Sequence, residues 1–136
     1  MDFAQSMIVA ASGMRTQSDR MRVIAENIAN ANSTAQTAGG DPYRRRIATA
    51  SSQFDRELNA TLVAPGKPQS DMSEFRKQYD PGNPAADKTG YVKLPNVNTL
   101  VEMMDMREAQ RSYEADLTVM DATKSMLART VDLLRR

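Results

Sequence analysis

Residues 6–34 read SMIVAASGMRTQSDRMRVIAENIANANST, and the rhythm of this stretch decides the fold class. Met7, Met14, Met21 and Ile28 recur every seven residues, and Phe3, Ala10, Gln17, Ile24 and Ala31 form a second row of the same period. An a/d pattern over about four heptads predicts an amphipathic helix whose stripe needs another helix to cover it. Gln17 is its polar break. Gly13 costs a helix roughly 1 kcal/mol relative to alanine, and its missing side chain lets a neighbour come close beside Met14. The rhythm stops in NIANANST, residues 27–34. Asn and Ser there compete for nearby backbone hydrogen bonds, and Asn tolerates a left-handed cap, so this run reads as the foot of the helix.

The far end repeats the pattern. Met106, Tyr113, Met120, Leu127 and Leu134 recur every seven residues, with Met103, Gln110, Leu117, Lys124 and Val131 as companions. Thr99 and Glu102 stand at capping-box spacing after PNVN, which predicts a helix start near residue 99. Six acidic and two basic residues lie in 98–121, then one acidic and four basic in 122–136, an order that complements the helix dipole. The two stripes can pair as an antiparallel hairpin or meet copies in neighbouring molecules.

All six prolines lie between Pro42 and Pro95, and five of the six glycines between Gly39 and Gly90. That segregation predicts one assembly domain in three parts: an N-terminal helix over 1–30, a Pro/Gly-rich middle over 31–97 and a C-terminal helix over 98–136. In the middle, YRRRIATASSQF (43–54) and ATLVA (60–64) have strand character, PGKP and YDPGNP signal turns, and KTGYVKLP contains a further short strand. The fold class is therefore mainly α, with long terminal amphipathic helices forming a coiled-coil-like pair around a small irregular or β-hairpin segment.

Composition narrows the function. The 136 residues include ten Met, no Trp, no Cys and no His, with a net charge of +1. Thiolate chemistry, Cys/His zinc sites and histidine acid–base catalysis are excluded, and no global field draws nucleic acid. Met-rich stripes suit adaptable packing. The longest early apolar run, MIVAA (7–11), is too short to span a bilayer, and MDFAQS lacks the basic leader of a cleaved signal peptide. Arg44, Arg45 and Arg46 form the one basic run and suit a solvated face or salt bridges better than a nucleic-acid surface. Glu102 and Asp105 have a spacing that can hold a cation, or can simply form an acidic first turn. Lys124 and Ser125 are helix neighbours that point apart, and no glycine pattern cradles phosphate. No catalytic residue, metal or cofactor is expected.

The motifs ASGM (11–14) and NIAN (27–30), with Arg20 between them, resemble the amino-terminal signature of the bacterial flagellar axial proteins, the rod and hook family. PYRRR, YDPGNPAADKTGYVKLPNV and the whole of 90–136 resemble the proximal-rod members of that family. One departure is STAQTAGGDPY, a longer connection after NIAN than many relatives carry, which puts in doubt any hinge geometry copied from the hook or distal rod. The resemblance implies a structural subunit of the periplasm-spanning rod, exported by the flagellar type III apparatus without a cleaved leader. It implies helical assembly with copies of itself and other rod proteins, an export-gate or MS-ring junction as neighbour, surrounding rings nearby, and neither nucleic acid nor a membrane span. Subunit-interface positions are then expected at Met7, Ala10, Met14, Met21, Ile24, Ile28, Met103, Met106, Tyr113, Leu117, Met120, Leu127, Val131 and Leu134, with Asn27, Ile28, Ala29 and Asn30 as the joint where the helix turns into the loop. The alternative from periodicity alone is a soluble helical-hairpin adaptor or export chaperone.

Overall fold

A computed structural model describes residues 2–135. The elements run α1 (Phe3–Ala29), β1 (Arg46–Ile47), β2 (Ala50–Asp55), β3 (Ala60–Pro65), β4 (Gln69–Ser70), β5 (Arg76–Tyr79), β6 (Tyr91–Leu94) and α2 (Thr99–Leu134). The two terminal helices pack together, and the strands between them form three separate antiparallel pairs, β1–β4, β2–β3 and β5–β6. The chain forms two compact units.

One unit comprises α1 up to Met21, the segment Thr49–Lys67, and α2 from Arg107 onward. The helices are antiparallel here: Gly13 faces Asp116, and Arg20 meets Glu108 at 3.1 Å. A Cβ on Gly13 would lie 2.5 Å from Asp116 Oδ2, so the glycine does bring α2 close. The hairpin β2–β3 pairs Ala50 with Pro65 through to Asp55 with Ala60. Asp55 Oδ1 accepts the N–H groups of Glu57 and Leu58, and Asn59 takes a left-handed φ of 48°, a polar tight turn. Gln5 Nε2 donates to the carbonyls of Leu58 and Asn59 at 2.6 and 3.1 Å, tying the hairpin tip to α1.

The other unit comprises residues 22–48 and 68–106, so it holds the foot of α1 and the start of α2. Its buried apolar residues are Val23, Ile24, Ala31, Ala85, Val92 and Val97. β5 and β6 pair Arg76 with Leu94 through to Tyr79 with Tyr91, whose rings meet edge to face at 5.3 Å. Gly90, at φ 84°, is required beside this pair, because a Cβ there would sit 2.9 Å from the Tyr79 ring.

The start of α2 differs from the capping box expected of Thr99 and Glu102. Asn98 is the cap: its Oδ1 accepts from Leu100 N–H at 3.1 Å, and its carbonyl accepts from Glu102 N–H. The Glu102 side chain turns inward instead, because the half-buried Arg45 competes for it.

Candidate functional site

The joint at the foot of α1 is built around Asn27, which is 1% exposed. Its Nδ2 donates to the Arg46 carbonyl at 2.8 Å and to Glu102 Oε2 at 3.0 Å. Its Oδ1 accepts from Tyr43 O–H at 2.8 Å and from Arg46 N–H at 2.9 Å. Both amide donors and both oxygen lone pairs are therefore used, which fixes the flip of the amide and the position of the incoming segment 43–46. Three residues on, Asn30 Nδ2 donates to the Glu26 carbonyl at 2.8 Å, and Ser33 O–H donates to the Asn30 carbonyl, closing the last turn.

Glu102 connects this joint to α2. It is as buried as Asn27, and Arg45 Nε donates to its Oε1 at 2.6 Å. The same guanidinium reaches Asp71 at 3.4 Å and Asp105 at 3.8 Å, so the acidic spacing of Glu102 and Asp105 faces an arginine. Burial alone would lower the Arg45 pKa, but the hydrogen bonds and charges of Glu102 and Asp71 outweigh it and hold the group above its usual value. Burial, then the charge of Glu26, pushes the Tyr43 phenol up, so it stays an O–H donor to Asn27. Asn96 completes the frame: its Oδ1 accepts from Arg45 N–H, and its Nδ2 donates to the Asp71 carbonyl. The flanking arginines are also engaged. Arg44 stacks 4.2 Å over Phe75, and Arg46 pairs with Glu26 at 3.2 Å. Every strong group here is satisfied by another, an arrangement that holds geometry and leaves no free nucleophile or base.

The expected contact positions fall into three groups. Ala10 and Ile24 are buried; Met7, Met14, Met21, Ile28, Met106, Tyr113 and Met120 are half-buried; Met103, Leu117, Leu127, Val131 and Leu134 are exposed, as is Ala29. The most buried row of α2 lies beside the half-buried Met106, Tyr113 and Met120. Glu102 and Ala109 are buried, as is Thr123 further along, with Asp116 half-buried between, whereas the companion row Met103, Gln110, Leu117, Lys124 and Val131 points away from α1. Small and polar residues take the inner row because close approach at Gly13 and capture by Arg45 demand them. On α1, Thr16, Val23 and Asn27 are buried beside the expected seam, so its covered face is wider than an a/d stripe.

The uncovered part is apolar. In the unit with the joint, Leu100, Met103 and Met104 are 69%, 53% and 65% exposed. In the hairpin unit two flanks of α2 carry large side chains: Leu117 and Val131, fourteen residues apart, on one, and Val119, Met126 and Leu133, seven apart, on the other. Between them the polar back holds Arg111, Glu114, Thr118 and Ser125.

Comparison with known proteins agrees with this architecture at both ends. Residues 7–35 match the family described as flagella basal body rod protein, and residues 88–133 match the flagellar basal body rod FlgEFG protein C-terminal family. The class is thus the flagellar basal-body rod proteins. The flagellar basal-body rod protein FlgC of Agrobacterium fabrum is 51% identical over 93% of this chain and 91% of its own length. The FlgC proteins of Bacillus subtilis and Salmonella typhimurium are 38% and 37% identical, over 94% and 92% of this chain and 95% and 92% of theirs. The chain belongs to the FlgC family.

Proposed function

We propose that this chain is a structural subunit of the bacterial flagellar basal-body rod, exported through the flagellar type III apparatus and working by assembly rather than catalysis. Copies of the chain and other rod proteins enclose its terminal helices in the wall of the drive shaft, and the stack transmits torque across the periplasm. The export-gate or MS-ring junction is its neighbour at one end. Contacts run through the stripe positions that the chain leaves open, Met103, Leu117, Leu127, Val131 and Leu134, while Ala10 and Ile24 are buried within the chain and Asn27 and Asn30 hold the joint at the foot of α1. The observation that carries this reading is the apolar flank of α2, left open on a chain of the rod family: Leu117 is 40% exposed and Met103 is 53% exposed. No helix among the described residues is long and apolar enough to cross a membrane, so a bilayer-spanning role does not explain that flank.

The test is complementation of a strain lacking its own rod protein of this type. Leu117→Asp puts a charge on an already solvated position, so the purified variant keeps the helix content and stability of the unaltered chain. In cells it should give no complete rods and no swimming, while the control Ser125→Asp, on the polar back, behaves normally. Full motility with Leu117→Asp would contradict the assignment.

A further inference from the structure

A groove of about 940 Å³ lies between α1 and the hairpin β2–β3. Its floor and walls are Ala11, Phe54, Leu62, Val63, Ala64 and Pro65, and its rim carries Arg15, Asp55, Arg56 and Glu57. Phe54 is 57% exposed and Val63 is 37% exposed, because no described residue fills the space over them. The hairpin itself is held: its tip is tied to Gln5, Val63 N–H donates to Ser12 Oγ at 3.3 Å, and Gly66 N–H donates to the Thr49 carbonyl at its base. The groove is therefore a preformed shape rather than a gap left by a loose strand pair.

The same unit also holds the complementary object. Because Gly13 faces Asp116 and Arg20 meets Glu108, Phe3 lies opposite about residue 126, and the following two turns of α2 run on past the start of α1. The row Met106, Tyr113, Met120 is half-buried, and its continuation Leu127 and Leu134 is 42% and 83% exposed, with Val131 beside it at 48%. This half-buried row, beside the most buried one, continues past the point where described residues of α1 lie opposite it. It cannot reach the groove of its own chain. That groove lies along Ala11 and Arg15, opposite about residues 114–118 of α2, so Leu127 is already about 14 Å further along a straight helix, running away.

We propose that the end of α2 from one copy, Leu127, Val131 and Leu134, seats in the α1–hairpin groove of the next copy. The contact rests on the rod reading above and adds to it a surface and an occupant. Leu127, Val131 and Leu134 span about two helical turns, roughly 11 Å of helix. Charge of both signs is available on each side: Asp55, Glu57, Arg15 and Arg56 at the rim, Lys124, Arg135 and Asp132 along the helix end. Donor and acceptor are different patches of one chain, so the contact is head to tail and propagates, as a filament subunit requires, instead of closing into a two-fold dimer.

The chain contains no cysteine, so introduced thiols report single positions. A chain carrying both Phe54→Cys and Val131→Cys, the only copy in the cell, is treated with a short bismaleimide in purified basal bodies. The expected product is a ladder of dimers, trimers and higher multimers of this chain alone, and Leu134→Asp should reduce that ladder at least tenfold. Products joining Phe54→Cys to a different rod protein, or Val131→Cys homodimers alone, would overturn the proposed occupant, as would intact basal bodies without cross-links. Absence of the unaltered chain from basal bodies would instead overturn the rod reading. If the double variant fails to assemble, Phe54→Cys and Val131→Cys chains are mixed in concentrated solution. Mixed dimers tenfold above either homodimer support the contact, and their absence overturns it.

Discussion

Replacing Glu102 by alanine removes the carboxylate that receives Asn27 Nδ2 at 3.0 Å and Arg45 Nε at 2.6 Å. Its side chain is 1% exposed, whereas Arg45 keeps 23% of its own in solvent and retains Asp71 and Asp105. Stripping one member from a fully buried pair costs about 3–5 kcal/mol, and the partial access of Arg45 sets the expected loss at the low end, about 3 kcal/mol. For 136 residues, an unfolding entropy of about 2.1 cal/mol/K per residue converts this to a drop of roughly 10 °C in Tm. Glu102→Gln keeps the shape and an acceptor, so it should cost less, about 1–2 kcal/mol. Urea unfolding followed by far-UV circular dichroism measures both, and the slope should stay constant while the midpoint moves. A loss below about 0.5 kcal/mol for Glu102→Ala, or equal losses for the two variants, would refute the claim that a buried charge pair holds the joint.

Three further outcomes follow from the same geometry. Gln17 Oε1 is buried with no hydrogen-bond partner among the described residues, so Gln17→Met should raise stability by about 1 kcal/mol in the same unfolding assay; a loss would mean the amide is satisfied. Gly13→Ala alone should be close to neutral, since helix propensity gains what displacing Asp116 loses, while Gly13→Ala with Asp116→Ala should gain about 1 kcal/mol. Equal values for the single and double variants would show that Asp116 does not crowd that site. The third outcome concerns acid. Two hydrogen bonds from Ser73, then Arg45, hold the Asp71 carboxyl below its usual range; Lys93 does so for Asp41, and Thr89 and Tyr91 for Asp87. Each folded pKa lies below the unfolded one, so this stability is present above the ordinary carboxylate pKa of 3.8 and disappears as pH falls through the folded values. Acid unfolding should therefore begin only below about pH 4, and Asp71→Asn should flatten part of that limb. An unchanged limb would count against it.

The helices were legible in the sequence because seven-residue spacing at both ends and the confinement of proline to the middle are local signals. The hairpin β2–β3 was legible in outline for the same reason, with PGKP marking its far end. What could not be read was which face of α2 turns inward. Apolarity pointed to Met106, Tyr113, Met120, Leu127 and Leu134, with Met103 and Leu117 as companions; the first three are half-buried, but the most buried row is Glu102, Ala109, Asp116 and Thr123, selected by close approach at Gly13 and by Arg45. The joint was half-legible. The asparagines of NIAN marked a place, yet their partners Tyr43, Arg46 and Glu102 lie 16, 19 and 75 residues away, and no local pattern links them. Glu102 was misread as a capping residue because a Thr-x-x-Glu spacing near a helix start has the same appearance whether or not an arginine waits across the fold.

The most direct test of the assembly claim compares one thiol in two settings. Leu117→Cys should react quickly with a maleimide in the dilute purified chain, since that position is open to solvent. In basal bodies purified from cells that rely on the same variant, it should be protected at least tenfold, because neighbouring helices cover the flank. Equal reactivity in both settings, with the chain present in the basal body, would contradict the account.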